Sequence, residues 1–253
     1  MNHAITRAVS RRIVDCELTH VARTPIDLAV ARAQHAAYED ALRQCALTVH
    51  QLPEEPELAD SVFVEDAAIV VGEVAVMMRP GAASRRPEVP SVRAALEPWC
   101  TILDLVGPGT MDGGDVLCLD KELWVGLSSR TTIEAVQELA DLVAPHGVRV
   151  HAVSVRGALH LKTAVTRVAE DLLLVNPAWI DGSTFVGYRQ LTVDDQESFA
   201  ANAVFVNGRV IHSTQFPRTQ ARLRAAGLDV IGVDASELAK AEGGVTCCSL
   251  LVP

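Results

Sequence analysis

Two adjacent thiols, Cys247 and Cys248, stand near the end of the chain in the run GGVTCCSLLVP. A cysteine among small and apolar residues is either core filling or a nucleophile, and core filling is the commoner fate. The other polar clusters favour the nucleophile. Asp60, Glu65 and Asp66 lie in DSVFVED, Asp112 and Asp115 flank paired glycines in MDGGDVL, and His160 sits between two leucines in ALHLK. An imidazole in a short apolar strand, as ALHLK is read, must be hydrogen-bonded or reactive, and it titrates near neutral pH, so His160 is the candidate proton carrier. Five carboxylates, an imidazole and a thiol suit a cationic substrate attacked by sulfur. Arg85 in RPGAASRR and Arg130 in GLSSRTT supply guanidinium forks that match a carboxylate. The expected ligand is a small amino-acid-like molecule, with its cation among the acids and its carboxylate at the arginines.

Each cluster also has an ordinary structural reading. Carboxylates cap turns, Gly113-Gly114 fits a bulge as well as a close approach to a ligand, and arginines decorate surfaces. Metal binding is not expected. The six cysteines show no CxxC spacing, HExxH is absent, and neighbouring residues on a strand point apart. PGTMDGGDVL matches neither GxGxxG nor a Walker loop, so no nucleotide or other cofactor is expected.

The elements that must position these residues repeat. A polar residue, an apolar strand, a tight turn, a second apolar strand and an arginine leading to a helix recur in four copies. The first runs from Glu65-Asp66 through a turn at Gly72-Glu73 to Arg85, and the second from Gly114-Asp115 through Asp120-Lys121 to Arg130. The third starts at His160-Leu161-Lys162, turns near Glu170-Asp171 and continues irregularly; the fourth starts at Ala201-Asn202, turns at Asn207-Gly208 and reaches Arg218. A fifth copy is split between a strand over 244–252 and one over 4–10, closing a ring that gathers Asp66, Asp115, Lys162, Asn202 and a cysteine at its centre. Cys247 and Cys248 would alternate on that last strand, one facing the centre and one buried. Helical spacing predicts helices over 26–46, 92–96, 132–144 and 219–226, with Asp27 and either Thr131 or Thr132 as caps.

With 253 residues, 49% hydrophobic and 21% charged, and with no linker or charge run dividing it, the chain is read as a single catalytic domain over 1–253. A net charge of −10 and no Lys/Arg cluster exclude nucleic acid and anionic membranes as partners. No apolar run is long enough to cross a bilayer, and residues 1–15 are too polar for a signal peptide, so a cytoplasmic location with reduced thiols is expected. A homodimer is compatible with this composition.

DSVFVED, RPGAASRR, MDGGDVL, WVGLSSRT, LHLK, AAN and TCCS, in this order, resemble the dimethylarginine dimethylaminohydrolase family over about residues 60–251. The resemblance implies an α/β fold, a five-bladed α/β propeller of ββαβ repeats about a pseudo-fivefold axis, with one blade closed by the N- and C-terminal strands. It implies hydrolysis of Nω-methylated arginines, asymmetric dimethylarginine and monomethylarginine, to L-citrulline and dimethylamine or methylamine. Cys247 would be the nucleophile, His160 the general acid and base, and Asp112 its orienter. Asp60, Glu65 and Asp66 would contact the guanidinium and amino groups, Arg85 and Arg130 the carboxylate, and Leu18 in VDCELTH would occupy a lid. Glu242 departs from the Asp of related sequences, bearing on the amino-group pocket. Competing readings are a deiminase of arginine or agmatine, a non-catalytic methylarginine-binding protein on this fold, and structural zinc on the cysteines. Arginine deiminases carry a further helical domain, and agmatine lacks the carboxylate that would explain the arginines.

Overall fold

Tight turns set the strand pairing. Asn207 and Gly208 both take positive φ, 49° and 79°, the type I′ geometry that joins twisted antiparallel strands through two residues. Gly72 and Asp120 turn the first two hairpins with φ of 58° and 57°. The computed structural model describes residues 1–253 and arranges the strands in five three-stranded sheets. In each, an antiparallel pair, a hairpin in four of them and the two terminal strands in the fifth, is extended in parallel by a third strand reached through a crossover.

The first blade comprises Ala68–Val71, Val74–Met77 and Thr101–Asp104. Val116–Leu119, Glu122–Leu127 and Arg149–Ser154 form the second; Val165–Ala169, Leu172–Val175 and Arg189–Thr192 form the third. The fourth comprises Ala203–Val206, Arg209–Ser213 and Asp229–Val233. The closing blade pairs His3–Arg7 with Leu250–Val252 on one side and with Thr48–Leu52 on the other. The fold is therefore the ring of ββαβ units, closed by both termini.

Helices Leu28–Gln44, Val89–Leu96, Ile133–Val143 and Pro217–Ala225 make four of the crossovers. Asp27 accepts from the N–H groups of Ala29 and Val30, and Thr132 accepts from Ala135, satisfying donors the first turn leaves free. The second helix starts earlier than its apolar spacing predicts because Pro90 fits the first turn, where no N–H is needed. In the third blade an irregular crossover contains only the short turn Gly182–Thr184.

The apolar core divides into five clusters, one between each pair of adjacent blades. Strand alternation does this. Val74 and Val76 face the second blade while Ala75 and Met77 face the closing one, and Leu173 and Leu172 likewise serve opposite neighbours. No helix is long and apolar enough to cross a membrane.

Two expectations are corrected. The strand read over 244–252 is confined to Leu250–Val252, and the cysteine pair lies in the 3-10 turn Thr246–Cys248. Tertiary hydrogen bonds hold that turn: Asn202 Oδ1 accepts from Thr246 N at 3.1 Å, and Cys247 Sγ from Gly244 N at 3.3 Å. His160 is not within a strand either. It is extended (φ −132°, ψ 159°) and precedes the single helical turn Leu161–Ala164.

Candidate active site

Short turns precede the first strands of four blades: Val64–Ala67, Gly113–Asp115, Leu161–Ala164 and Thr246–Cys248. Their side chains meet on the axis and bond from blade to blade. Asp66 Oδ1 accepts from Gly114 N at 2.9 Å, and Asp115 Oδ1 from Leu161 N at 2.9 Å. Asn202 Nδ2 donates to Lys162 O at 3.1 Å and to Thr246 Oγ1 at 3.0 Å, and Thr246 Oγ1 donates to Glu65 Oε2 at 2.8 Å. This polar belt closes on itself. Its tightness explains the paired glycines: a Cβ on Gly113 would lie 2.0 Å from Glu65 O, and one on Gly114 2.5 Å from His160 Nδ1.

On one side of the belt, a cavity is lined by Asp60, Asp66, Asp112, Arg85, Arg130, His160 and Cys247, among others. His160 Nε2 lies 3.0 Å from Asp112 Oδ2, and Nδ1 lies 3.9 Å from Asp66 Oδ1. Asp112 is fixed in turn: Gly81 N donates to its Oδ1 at 2.8 Å, and its own N–H donates to Thr131 Oγ1 at 3.3 Å. Burial alone would strip His160 of its proton, but Asp66, the hydrogen bond to Asp112, and Asp115 outweigh it and raise its pKa to about 9. Asp66 feels the converse. Burial raises its pKa, but the His160 and Arg85 charges bring it down to about 2. The imidazole is therefore an imidazolium at neutral pH, poised as an acid.

Cys247 is pushed the other way. Burial, then the Glu65 and Asp66 charges, raise its pKa to about 12, against the Gly244 N–H and Lys162. At rest Cys247 is a neutral thiol, and a cation placed among the carboxylates is what would ionise it. Cys248 is buried and donates to Gly244 O at 3.6 Å. The two thiols thus differ as expected, though on a turn and not on a strand.

The ligating atoms of Asp66, Asp112 and His160 all lie within 4.8 Å of one another, a grouping that could share a metal ion. Here the positive charge between the two carboxylates is the imidazolium itself.

Not every expected residue faces this cavity. Glu65 lies in the belt, with Oε1 2.5 Å from Lys162 Nζ, and its pKa is raised by burial against that cation. Asp115 is consumed by Ser128, Thr131 and Leu161 at 2.6, 2.7 and 2.9 Å. The single pocket of five acids is thus reduced to Asp60, Asp66 and Asp112. Arg85 lines the cavity but sits on no open rim; it is buried, bonded to Asp66, to both Glu88 oxygens, and to the carbonyls of Asp60 and Phe63. Arg130 is freer, 4.0 Å from Asp112 Oδ2 and donating to Thr19 Oγ1 at 3.1 Å. Leu18 packs on the adjoining apolar cluster, while its neighbour Glu17 lines the cavity. Glu17 N donates to Asp60 Oδ2 at 3.1 Å.

Glu242 lines the cavity, and its carboxylate is engaged by the chain itself. It accepts from the successive backbone N–H groups of Thr19, His20 and Val21, pinning the loop over the cavity. Glu17, Phe63 and Glu88 were missed in the sequence. The i,i+3 spacing of Arg85 and Glu88 was the one available signal.

The chain matches the family model described as "N,N dimethylarginine dimethylhydrolase, eukaryotic" over residues 24–251. It is 33% identical over 251 residues to the N(G),N(G)-dimethylarginine dimethylaminohydrolase of Pseudomonas aeruginosa, covering 98% of each chain. With the Streptomyces coelicolor protein of the same name it shares 36% identity over 249 residues, covering 98% of this chain and 95% of the relative. A solved structure of the Pseudomonas aeruginosa enzyme, a cysteine-to-serine variant complexed with citrulline, superposes with a TM-score of 0.94 over 98% of each chain at 33% identity. The N-terminal domain of ArgZ, an arginine dihydrolase from cyanobacteria, shares the fold with a TM-score of 0.88 over 98% of this chain and 96% of that one, at 22% identity. On these matches the chain belongs to the dimethylarginine dimethylaminohydrolase family of hydrolases.

Proposed function

We propose that the chain, acting as a single catalytic domain, hydrolyses asymmetric dimethylarginine and monomethylarginine to L-citrulline and dimethylamine or methylamine. The observation that carries this reading is the cavity wall shared by the Cys247 thiol and an imidazolium held between Asp112 and Asp66.

A guanidinium is a weak electrophile because its charge is delocalised. Asp66 and Asp60 would orient it and localise that charge, while its cation lowers the Cys247 pKa and the thiol proton leaves to solvent. The thiolate attacks the central carbon, forming the C–S bond. His160 gives its proton to the substituted nitrogen, the C–N bond breaks, and the amine departs, leaving a thiouronium on Cys247. Neutral His160 then takes a proton from water, the hydroxide adds to the carbon, and the C–S bond breaks as the adduct's hydroxyl proton passes to sulfur, returning the Cys247 thiol and releasing citrulline. Arg130, with the Arg85 charge behind it, is the proposed partner of the substrate carboxylate, and Leu18 belongs to the loop covering the bound molecule. No cofactor takes part in these steps.

The same reading places the enzyme in the cytoplasm, in keeping with six unpaired thiols. It includes a homodimer, which sedimentation would reveal as twice the chain mass. Citrulline release tests the activity, with arginine, monomethylarginine, both dimethylarginines and agmatine compared in parallel. Release from the two expected substrates and little from agmatine is the expected pattern. Tight binding without turnover by the reduced protein would instead make this a methylarginine-binding protein.

A further inference from the structure

The motif AAN, residues 200–202, takes no part in the steps above, but its asparagine occupies a singular place. Asn202 lines no part of the catalytic cavity, so it acts only through what it touches. Its Nδ2 donates to Lys162 O at 3.1 Å, two residues beyond His160, and to Thr246 Oγ1 at 3.0 Å, while Oδ1 accepts from Thr246 N at 3.1 Å. One buried amide thus ties the turn that follows the proton carrier to the turn that presents the nucleophile. The Thr246 hydroxyl, with its lone pair filled by Asn202, points its proton at Glu65, whose other oxygen holds Lys162. Gly244 completes the fit. A Cβ there would lie 2.4 Å from Asn202 Oδ1, and the Gly244 N–H is the group that donates to Cys247 Sγ.

We propose that Asn202 is a positioning residue for the reaction, fixing the Thr246–Cys248 turn against the segment carrying His160 so that sulfur and imidazole address the same substrate carbon. An amide suits this task. It satisfies an N–H, a hydroxyl and a carbonyl at once, which no carboxylate or hydroxyl of similar size does. The inference rests on the hydrolase reading, and it is tested partly by a measurement that needs no turnover.

Glu65, Asp66 and Lys162 are the charges that act most strongly on Cys247, and Glu17, Asp60, Asp112, Arg85, Arg130, His160 and Glu242 share its cavity. Asn202→Ala and Asn202→Asp are compared with the wild type in citrulline release, and in the pH dependence of Cys247 alkylation by iodoacetamide, followed on the C-terminal peptide. Misplacing reacting groups by about 1 Å costs about 100-fold in rate, so kcat should fall about 100-fold with KM within about threefold. The alkylation profile of Asn202→Asp should move to higher pH, because a carboxylate joins Glu65 and Asp66 near the sulfur. Thr246→Val removes the bridging hydroxyl without changing the shape and should lower kcat in the same manner, and Thr246→Ser should recover most of the loss. This pair decides the matter if the Asn202 variants fail to fold. Unchanged kcat, a loss confined to KM, or lowered activity with an unmoved alkylation profile would overturn the assignment. An inactive wild type in which the uncharged Asn202→Ala change still alters Cys247 alkylation would overturn the hydrolase reading while the amide's hold on the cysteine turn stands.

Discussion

The five first strands wall a cavity on one side of the polar belt, the turns and loops leading into them wall the candidate catalytic cavity on the other, and the two differ in almost every physical respect. On the catalytic side Asp60, Asp66, Asp112, Arg85, His160 and Cys247 crowd together out of water. On the other side Ile69, Val71, Val116, Leu117 and Phe205 form apolar walls, and charge gathers at the hairpin tips. There Arg167 pairs with Asp120 and Glu170 at 3.0 and 2.6 Å, but both acids are exposed, and such pairs contribute about 1 kcal/mol or less. The Lys162–Glu65 pair and Thr246 belong to the belt and face this second space. The backbone repeat brings strand ends together on both sides. What makes one side reactive is the exclusion of water from unlike charges, which holds His160 at about 9, Asp66 at about 2 and Cys247 at about 12.

The sharpest contrast is between thiols on the two sides. Cys118 lines the second cavity and is raised to about 11, mainly by burial, so a high pKa alone does not mark a nucleophile. Cys247→Ser should lower citrulline release by at least about 10⁴-fold, as expected for loss of a covalent nucleophile. Cys118→Ser and Cys248→Ser should stay within about threefold, since neither sulfur touches the catalytic cavity. Comparable losses from Cys247→Ser and Cys248→Ser would mean that the turn presents the wrong thiol.

Next in size is the pH dependence. With the Cys247 thiol at about 12, its alkylation in the free enzyme should rise about tenfold per pH unit between pH 7 and 10. A plateau beginning near pH 7 would reveal a preformed thiolate and contradict the charge arrangement. His160 has the opposite consequence for stability. Its folded pKa, about 9, exceeds the ordinary value of about 6.5, so its contribution is complete below about pH 6.5 and is lost as pH rises through 9. That contribution is about 3 kcal/mol. Urea midpoints of wild type and His160→Gln should therefore differ more at pH 6 than at pH 10.

The Lys162–Glu65 pair tests the comparison at the belt. Lys162→Met leaves the Glu65 carboxylate buried without its cation and should destabilise the protein by about 3–5 kcal/mol, with much of the loss recovered in the Lys162→Met/Glu65→Gln double variant. Ile69→Val, on the wall of the apolar cavity, should cost only about 0.5–1.5 kcal/mol. Urea unfolding measures both.

Much of this arrangement was legible in the residue order. Hairpin dipeptides such as Asn207-Gly208 carry their own geometry, and alternation in strands such as Val74–Met77 assigns each face to a neighbouring blade. Third strands such as Arg189–Thr192 were not legible, because they lie at sheet edges, are mostly exposed and show no apolar alternation. Around the site, residue types were readable but directions were not. Glu65 and Asp66 are adjacent, yet one turns to Lys162 and the other to Arg85 and His160. Whether a buried acid meets substrate or a neighbouring cation depends on partners distant in sequence. The cysteine turn was missed for the same reason, since what replaces the strand is a bond to Asn202 from another blade.

The smallest expected effect concerns the loop over the candidate catalytic cavity. Glu242 takes positive φ, 59°, an uncommon conformation for a non-glycine residue, and it aims its carboxylate at three successive N–H groups. Thr19 N donates to Oε2 at 2.9 Å and Val21 N to Oε1 at 2.8 Å, with His20 N sharing Oε1. Glu242→Gln keeps the length and one acceptor oxygen but removes the charge that strengthens all three bonds. Because Thr19 and His20 are exposed, water competes for these donors, and the loss should be about 1 kcal/mol. The ratio of covered to open loop would then fall about fivefold. KM should rise by about that factor with kcat within about twofold, and amide exchange at residues 19–21 should quicken. A fall in kcat with KM unchanged would instead place Glu242 in the chemical step and remove its role as the fastening of the loop.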